Sequence, residues 1–289
     1  MEPLEPKLIL VPTDRSEPAA HALRYASALG ARFGARLLVI YADPFIPPTD
    51  FTATTAGVFE LSRDAMMATA REELRKHVEE NVRSRVSFDL RVVVGEPLES
   101  IMAQLDASHA DLVVMGTHGR AGVNRLMYGS VTEAAMRVVP VPVIAVNPAT
   151  TETAEMENIL CPVTFTPACR AALLYAAALG GQRARPVLLL RTAERIGVDE
   201  LHRLHEWLPP ELIDRCHLER VSSDDEAEQV VETAKVMHAQ LIAFGVAADR
   251  PVTYSVLGTI AERVVQRSGC AVLTVNAHAA KATFEKESK

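Results

Sequence analysis

The sequence predicts an α/β protein built from two tandem, doubly wound domains, each with a five-stranded parallel sheet. Two observations carry this. The first is an internal repeat, the feature to look for before any local reading. Pro12 and Pro162 are offset by 150, as are Tyr25-Ala26 and Tyr175-Ala176, Leu29-Gly30 and Leu179-Gly180, and Leu37–Ile40 and Val187–Leu190. Further along the offset becomes 129, relating Gly116 to Gly245, Gly129 to Gly258, Glu133 to Glu262 and Val143–Asn147 to Val272–Asn276. The second copy is therefore 21 residues shorter, with the deletion between Ala42 and Arg91. The second observation is that short, continuous Val/Ile/Leu runs alternate with helical stretches. That pattern belongs to parallel strands covered on both faces.

In the first copy, Leu8 to Val11 reads as a buried strand. Ala19 to Phe33 carries apolar residues at helical spacing and ends near Gly34, where a C-terminal glycine belongs. Leu37 to Tyr41, Leu90 to Val94, Leu112 to Met115 and Val143 to Val146 are the next four strands. Helices are expected near 59–84, 97–108 and 130–138, and the proline-rich segment 44–57 reads as a long loop. The second copy makes a shorter excursion there, followed by a helix near 199–207 with the sole tryptophan, Trp207. The expected boundaries are 1–148 for the first domain, 149–157 for a linker, 158–278 for the second domain and 279–289 for a disordered tail.

Composition narrows the class. Of 289 residues, 30 are Lys or Arg and 37 Asp or Glu, a net charge of −7 without any basic block. That balance argues against a nucleic-acid or anionic-membrane partner. The longest apolar stretch, Ala171 to Gly181, is far shorter than a membrane span. The start, Met1-Glu2-Pro3-Leu4-Glu5-Pro6, is unlike the basic and apolar opening of a signal peptide, so a cytoplasmic location is expected. Four cysteines, Cys161, Cys169, Cys216 and Cys270, form no CxxC pair and suit reduced thiols, with Cys161 and Cys270 expected on strands as inert core residues.

In a doubly wound sheet, ligands bind beyond the carboxyl ends of the strands that flank the reversal of strand order. Here these are strands one and four. Strand one is followed by Pro12-Thr13-Asp14, and strand four by Met115-Gly116-Thr117-His118-Gly119-Arg120. Gly129-Ser130-Val131 then opens a helix, giving the spacing Gly-x2-Gly-x9-Gly-Ser. Glycines allow close backbone approach, and a helix N-terminus with a hydroxyl attracts an anion, so the pattern suits a phosphate chain. Asp14 is placed to accept hydrogen bonds from ribose hydroxyls.

On these residues the first copy resembles the universal stress protein family in its ATP-binding branch, a Rossmann-like fold. Pro12-Thr13-Asp14, Gly116, Gly119, Gly129, Ser130 and the Thr117-His118 pair match the family's signature, and Gly95-Glu96-Pro97 looks like the family's as well. The resemblance implies ATP, with or without magnesium. Asp14 would hold the ribose, the Gly116–Ser130 stretch the phosphates, and Tyr41 would face the adenine. The implied contact set is Pro12, Thr13, Asp14, Tyr41, Met115, Gly116, His118, Gly119, Arg120, Gly129, Ser130 and Val131. It also implies that the two domains pair within the chain through their fifth strands. Homodimerisation of the whole chain stays open.

The second copy departs from the pattern. Thr164 stands at the position of Asp14, Arg191 at Tyr41 and Ala248 at Gly119, with Gly258-Thr259 in place of Gly129-Ser130. Nucleotide is therefore expected in the first domain, weakly or not at all in the second. Other chemistries fit less well. Asp14, His118 and Ser130 are triad residue types, but no G-x-S-x-G elbow occurs, nor a G-x4-G-K-[ST] loop. His202, His205 and Cys216-His217 match no strong zinc template, and Asp224-Asp225-Glu226 reads as an acidic helix start. Three functional classes remain: a nucleotide-dependent regulatory or stress-response protein, favoured here; a slow ATPase or phosphate-transfer enzyme; and a nucleotide-free interaction protein.

Overall fold

The computed structural model describes residues 4–43, 56–117, 129–191, 196–221, 223–246 and 259–287. The first half runs β1 (Leu8–Pro12), α1 (Glu17–Phe33), β2 (Arg36–Asp43), α2 (Ala56–Asn81), β3 (Phe88–Val94), α3 (Pro97–Ser108), β4 (Leu112–Gly116), α4 (Ser130–Val138) and β5 (Val143–Val146). The second runs β6 (Asn158–Val163), α5 (Pro167–Gly180), β7 (Arg185–Arg191), α6 (Val198–Trp207), α7 (Pro210–Ile213), β8 (His217–Val221), α8 (Glu226–Val236), β9 (Leu241–Val246), α9 (Thr259–Arg267), β10 (Ala271–Asn276) and α10 (Ala277–Glu287).

Local signals explain the boundaries of α1. The Ser16 side chain accepts from the Ala19 N–H at its start, and Gly34, in the left-handed region at φ 69°, closes it. The ten strands form one sheet in the order β3-β2-β1-β4-β5-β10-β9-β6-β7-β8. Neighbours are parallel except at the centre, where Leu273 of β10 lies opposite Ile144 of β5 in an antiparallel pair. Alternate residues of the inner strands are buried on opposite faces, while the edge strands β3 and β8 are largely half-buried or exposed. Ile9, Val11, Leu37 and Val39 pack with Leu23, Leu29, Leu74 and Val78 of α1 and α2. Leu10, Leu38, Val113 and Met115 pack with Ile101, Leu105 and Met136 of α3 and α4. Both faces being covered is why these strands read as unbroken apolar runs.

The repeat extends to backbone conformation. Arg15 and Phe165 both have positive φ (63° and 53°), as do His109 and His238 (56° and 52°), at the same two offsets found in the sequence. The segment 279–289, expected to be disordered, is instead helical as far as Glu287. Its alanines favour helix, Asn276 Oδ1 accepts from the Ala279 N–H at 2.9 Å, and Ala279 and Ala280 are buried. Among the described residues, no helix is long and apolar enough to cross a membrane.

Candidate functional site

In both halves the first and fourth strands lie side by side, so strand order reverses between β1 and β4 and again between β6 and β9. The chain leaving β1, the end of β4 and the start of α4 border the first mouth. The Thr13 N–H donates to Ile40 O (2.9 Å), which carries the chain over β2, and its buried hydroxyl accepts from the Arg15 N–H (3.0 Å). Asp14 Oδ1 accepts from both the N–H and the hydroxyl of Ser16. The carboxylate is thus oriented by the residue that caps α1. Arg15, in the left-handed region, turns its guanidinium back over the Tyr41 ring, 4.3 Å from the centroid, and pairs with Glu73 of α2.

The opposite wall comes from β4 and α4. The Thr117 N–H donates to Val146 O (3.0 Å), and the Gly129 N–H donates to Thr117 O (2.8 Å). Thr132 Oγ1 donates to Gly116 O at 2.7 Å. Thr117 and Gly129 are therefore fastened to each other, and Thr117 to the sheet. Gly129 is the N-cap of α4 and brings no side chain to satisfy the first-turn N–H groups. Ser130 is exposed beside them, while Val131 is half-buried against the core. Such a helix start, on a nine-residue helix, can hold an anionic group.

The structure thus brings Pro12, Thr13, Asp14, Tyr41, Gly116, Gly129 and Ser130 to the carboxyl ends of β1, β2 and β4 and the start of α4. The Met115 side chain is core, buried among the strand and helix residues on the α3 and α4 face. His118, Gly119 and Arg120 lie outside the described residues. Gly116 meets a demand from within the fold, since a Cβ there would come within 2.8 Å of Pro18 O at the start of α1. The sequence pattern carries no signal for three neighbours: Arg15, Glu73 and His77. His77 Nε2 lies 3.3 Å from Thr13 Oγ1. Burial, followed by the nearby Arg15 charge, holds its imidazole below the ordinary histidine range. Nothing in local spacing points from α2 to this mouth.

The second mouth keeps the scaffold and changes the lining. Thr164 Oγ1 and Thr166 Oγ1 are 3.1 Å apart where the first half has Asp14 and Ser16. Phe165 packs against Trp207 (centroids 5.2 Å apart) with the Arg203 guanidinium 4.0 Å from its ring centre. Arg191 pairs with Glu226 at 2.8 Å. Ala248 lies outside the described residues. His202 pairs with Glu206, and His205 Nδ1 contacts Leu201 O on its own helix.

Comparison with known proteins agrees with this architecture. The model of the universal stress protein family matches residues 6–147. A universal stress protein from Thermus aquaticus is 32% identical over 150 residues, spanning 98% of that protein and 49% of this chain. The chain belongs to the universal stress protein family. A second relative, the Synechocystis universal stress protein, is 31% identical over 148 residues, covering 96% of its own length and 48% of this chain. At the level of fold, the crystal structure of a universal stress protein from Archaeoglobus fulgidus aligns over 96% of this chain and 99% of its own, with a TM-score of 0.66 at 15% identity. This universal stress protein therefore shares a fold with that relative across both of its halves.

Proposed function

We propose that the first half of this universal stress protein binds an adenine nucleotide, ATP with or without magnesium, and that occupancy regulates the protein's shape or partner choice. The observation that carries the reading is the pairing of an oriented carboxylate, Asp14, with a helix start whose N-cap is glycine, across the β1–β4 reversal. Ribose hydroxyls are donors that suit the carboxylate, and phosphate oxygens are acceptors that suit the α4 N–H groups and the Ser130 hydroxyl. Tyr41, at the end of β2, offers an aromatic face for the base, at present covered by Arg15. These groups bind and orient. Efficient hydrolysis is not part of the proposal, because it needs a positioned base or a strong charge clamp on the terminal phosphate. A cytoplasmic setting, and pairing of the two halves in solution through β5 and β10, belong to the same reading. So does the absence of nucleic-acid or membrane partners.

Titration calorimetry with ATP tests it. One nucleotide per chain is expected, with Asp14→Ala weakening affinity by about tenfold or more, the scale of a lost charge-assisted hydrogen bond. Thr164→Ala is expected to leave binding unchanged. Two equivalent sites per chain, or full affinity in Asp14→Ala, would overturn the reading. Mass spectrometry of nucleotide released from protein purified without added ligand gives the identity of the base and the phosphate count.

A further inference from the structure

The second half, which lacks the first half's carboxylate, carries a feature the first half does not. Cys161 on β6 and Cys169 in the first turn of α5 have their sulfur atoms 4.0 Å apart, and both residues are 0% exposed. The Cys169 thiol also lies 3.5 Å from Pro162 O, and its N–H donates to Thr166 Oγ1 at 3.2 Å. At the 150 offset the first half has Val11 and Ala19, both buried. An apolar pair therefore packs the same place, and two sulfurs facing each other are not something the core requires.

The surroundings divide the two thiols chemically. A hydrogen bond from the Cys161 thiol, aided by contacts from Thr164 and Gly245, draws Cys169 down against the effect of burial. The same bond, followed by burial, pushes Cys161 well up. The start of α5 favours a thiolate at Cys169 in the same sense. By contrast, burial pushes Cys216 up to about 11 and Cys270 up to about 12.

We propose that Cys161 and Cys169 form a redox-sensitive dithiol, which a hydroperoxide oxidises to an intramolecular disulfide. The Cys169 thiolate attacks the terminal peroxide oxygen. The O–O bond breaks, the other oxygen leaves with a proton as alcohol or water, and Cys169 becomes a sulfenic acid. Cys161 sulfur then attacks Cys169 sulfur. The S–O bond breaks, and hydroxide leaves with the Cys161 proton as water. Two thiols lose two electrons in total, and one peroxide gains them. Closing the sulfurs from 4.0 Å to bonding distance takes about 2 Å of side-chain and local backbone movement. The movement bears on the end of β9, because a Cβ at Gly245 would stand 2.1 Å from the Cys169 nitrogen. Thr164 and Thr166, exposed directly above, mark the side from which a small oxidant enters. Burial makes the reaction slower than that of an exposed thiolate.

The test uses the whole chain in its native state. It is treated with hydrogen peroxide, quenched with catalase, denatured, alkylated with N-ethylmaleimide and digested with trypsin. Both cysteines fall in one tryptic peptide, residues 138–170, because no Lys or Arg lies between Arg137 and Arg170. That peptide is expected unalkylated and lighter by two hydrogens, restored by dithiothreitol, with Cys216 and Cys270 still alkylated. Recovery of both cysteines alkylated, after an exposure that oxidises a free cysteine peptide in the same tube, would overturn the proposal. So would sulfinic acid without the disulfide, or a bond to Cys216 or Cys270. Cys161→Val, which recreates the first half's residue, is expected to accumulate a dimedone-reactive sulfenic acid on Cys169. Its absence from the folded variant counts against the proposed order of attack.

Discussion

Gly116 and Gly245 are kept to glycine by the helix that follows the first strand of each half. A methyl at Gly116 would sit 2.8 Å from Pro18 O, and one at Gly245 would sit 2.1 Å from the Cys169 nitrogen. Backbone has to move in either case, so Gly116→Ala is expected to cost about 1–3 kcal/mol and Gly245→Ala more, read from urea unfolding. Equal and negligible losses would mean that α1 and α5 adjust freely. Gly116 sits inside the same motif as Asp14, and the sequence alone does not separate its packing role from a ligand role. Asp14, Gly129 and Ser130 were legible because each lies where a strand ends or a helix starts, positions that local patterning locates. Arg15 was visible beside Asp14 but carried no signal, since its partner Glu73 is 58 residues away. His77, 64 residues from Thr13, was hidden for the same reason: the path of α2 is set by packing, not by spacing.

At the scale of elements, the segment after β5 is fastened to α1. Glu152 Oε1 accepts from Arg24 Nε and from His21 Nδ1 (2.8 Å), and Thr150 O faces His21 Nε2 at 2.8 Å. Burial would push the Glu152 carboxyl up, but the bond and charge of Arg24, with those of His21, hold it below the ordinary carboxylate range. A carboxyl depressed on folding contributes stability above its unfolded pKa, and that contribution is lost as pH falls through the folded value. Glu152→Gln is expected to lower stability by about 0.5 kcal/mol near neutral pH, the scale of a partly exposed ion pair. The gap to wild type should close as pH falls below the ordinary carboxylate range. Chemical denaturation of both proteins across that range checks it, and a gap that is constant with pH would exclude the ion pair as its source. Element boundaries with chemical caps, Ser16 and Gly34 among them, could be read from sequence. The helix α10 could not. Three of its last four residues are charged, and what orders its start is the Asn276 cap and burial of Ala279 and Ala280, both supplied by tertiary structure.

Across the whole molecule, the two halves meet through equivalent residues. Asn147 Nδ2 donates to the Ser268 and Cys270 carbonyls of the second half, and Asn276 Nδ2 donates to Val139 O of the first at 2.8 Å. The pair obeys the 129 offset, although in the sequence Asn147 and Asn276 stand only as the ends of repeated strands. Asn147→Leu removes a buried donor from carbonyls that stay buried. It is expected to cost about 1–3 kcal/mol and to separate the unfolding of the halves in scanning calorimetry. A single unshifted transition would show that the β5–β10 strand contact alone couples them.

The antiparallel seam between β5 and β10 has a consequence for stoichiometry. Two separate copies of one domain would meet by collision, come apart on dilution and reassort, so every pair would present two identical mouths. Within one chain the partner is held at an effective concentration on the order of millimolar, and its identity is fixed. Because one chain carries both, every mouth with Asp14 comes with one mouth with Thr164, in a fixed one-to-one ratio at any concentration.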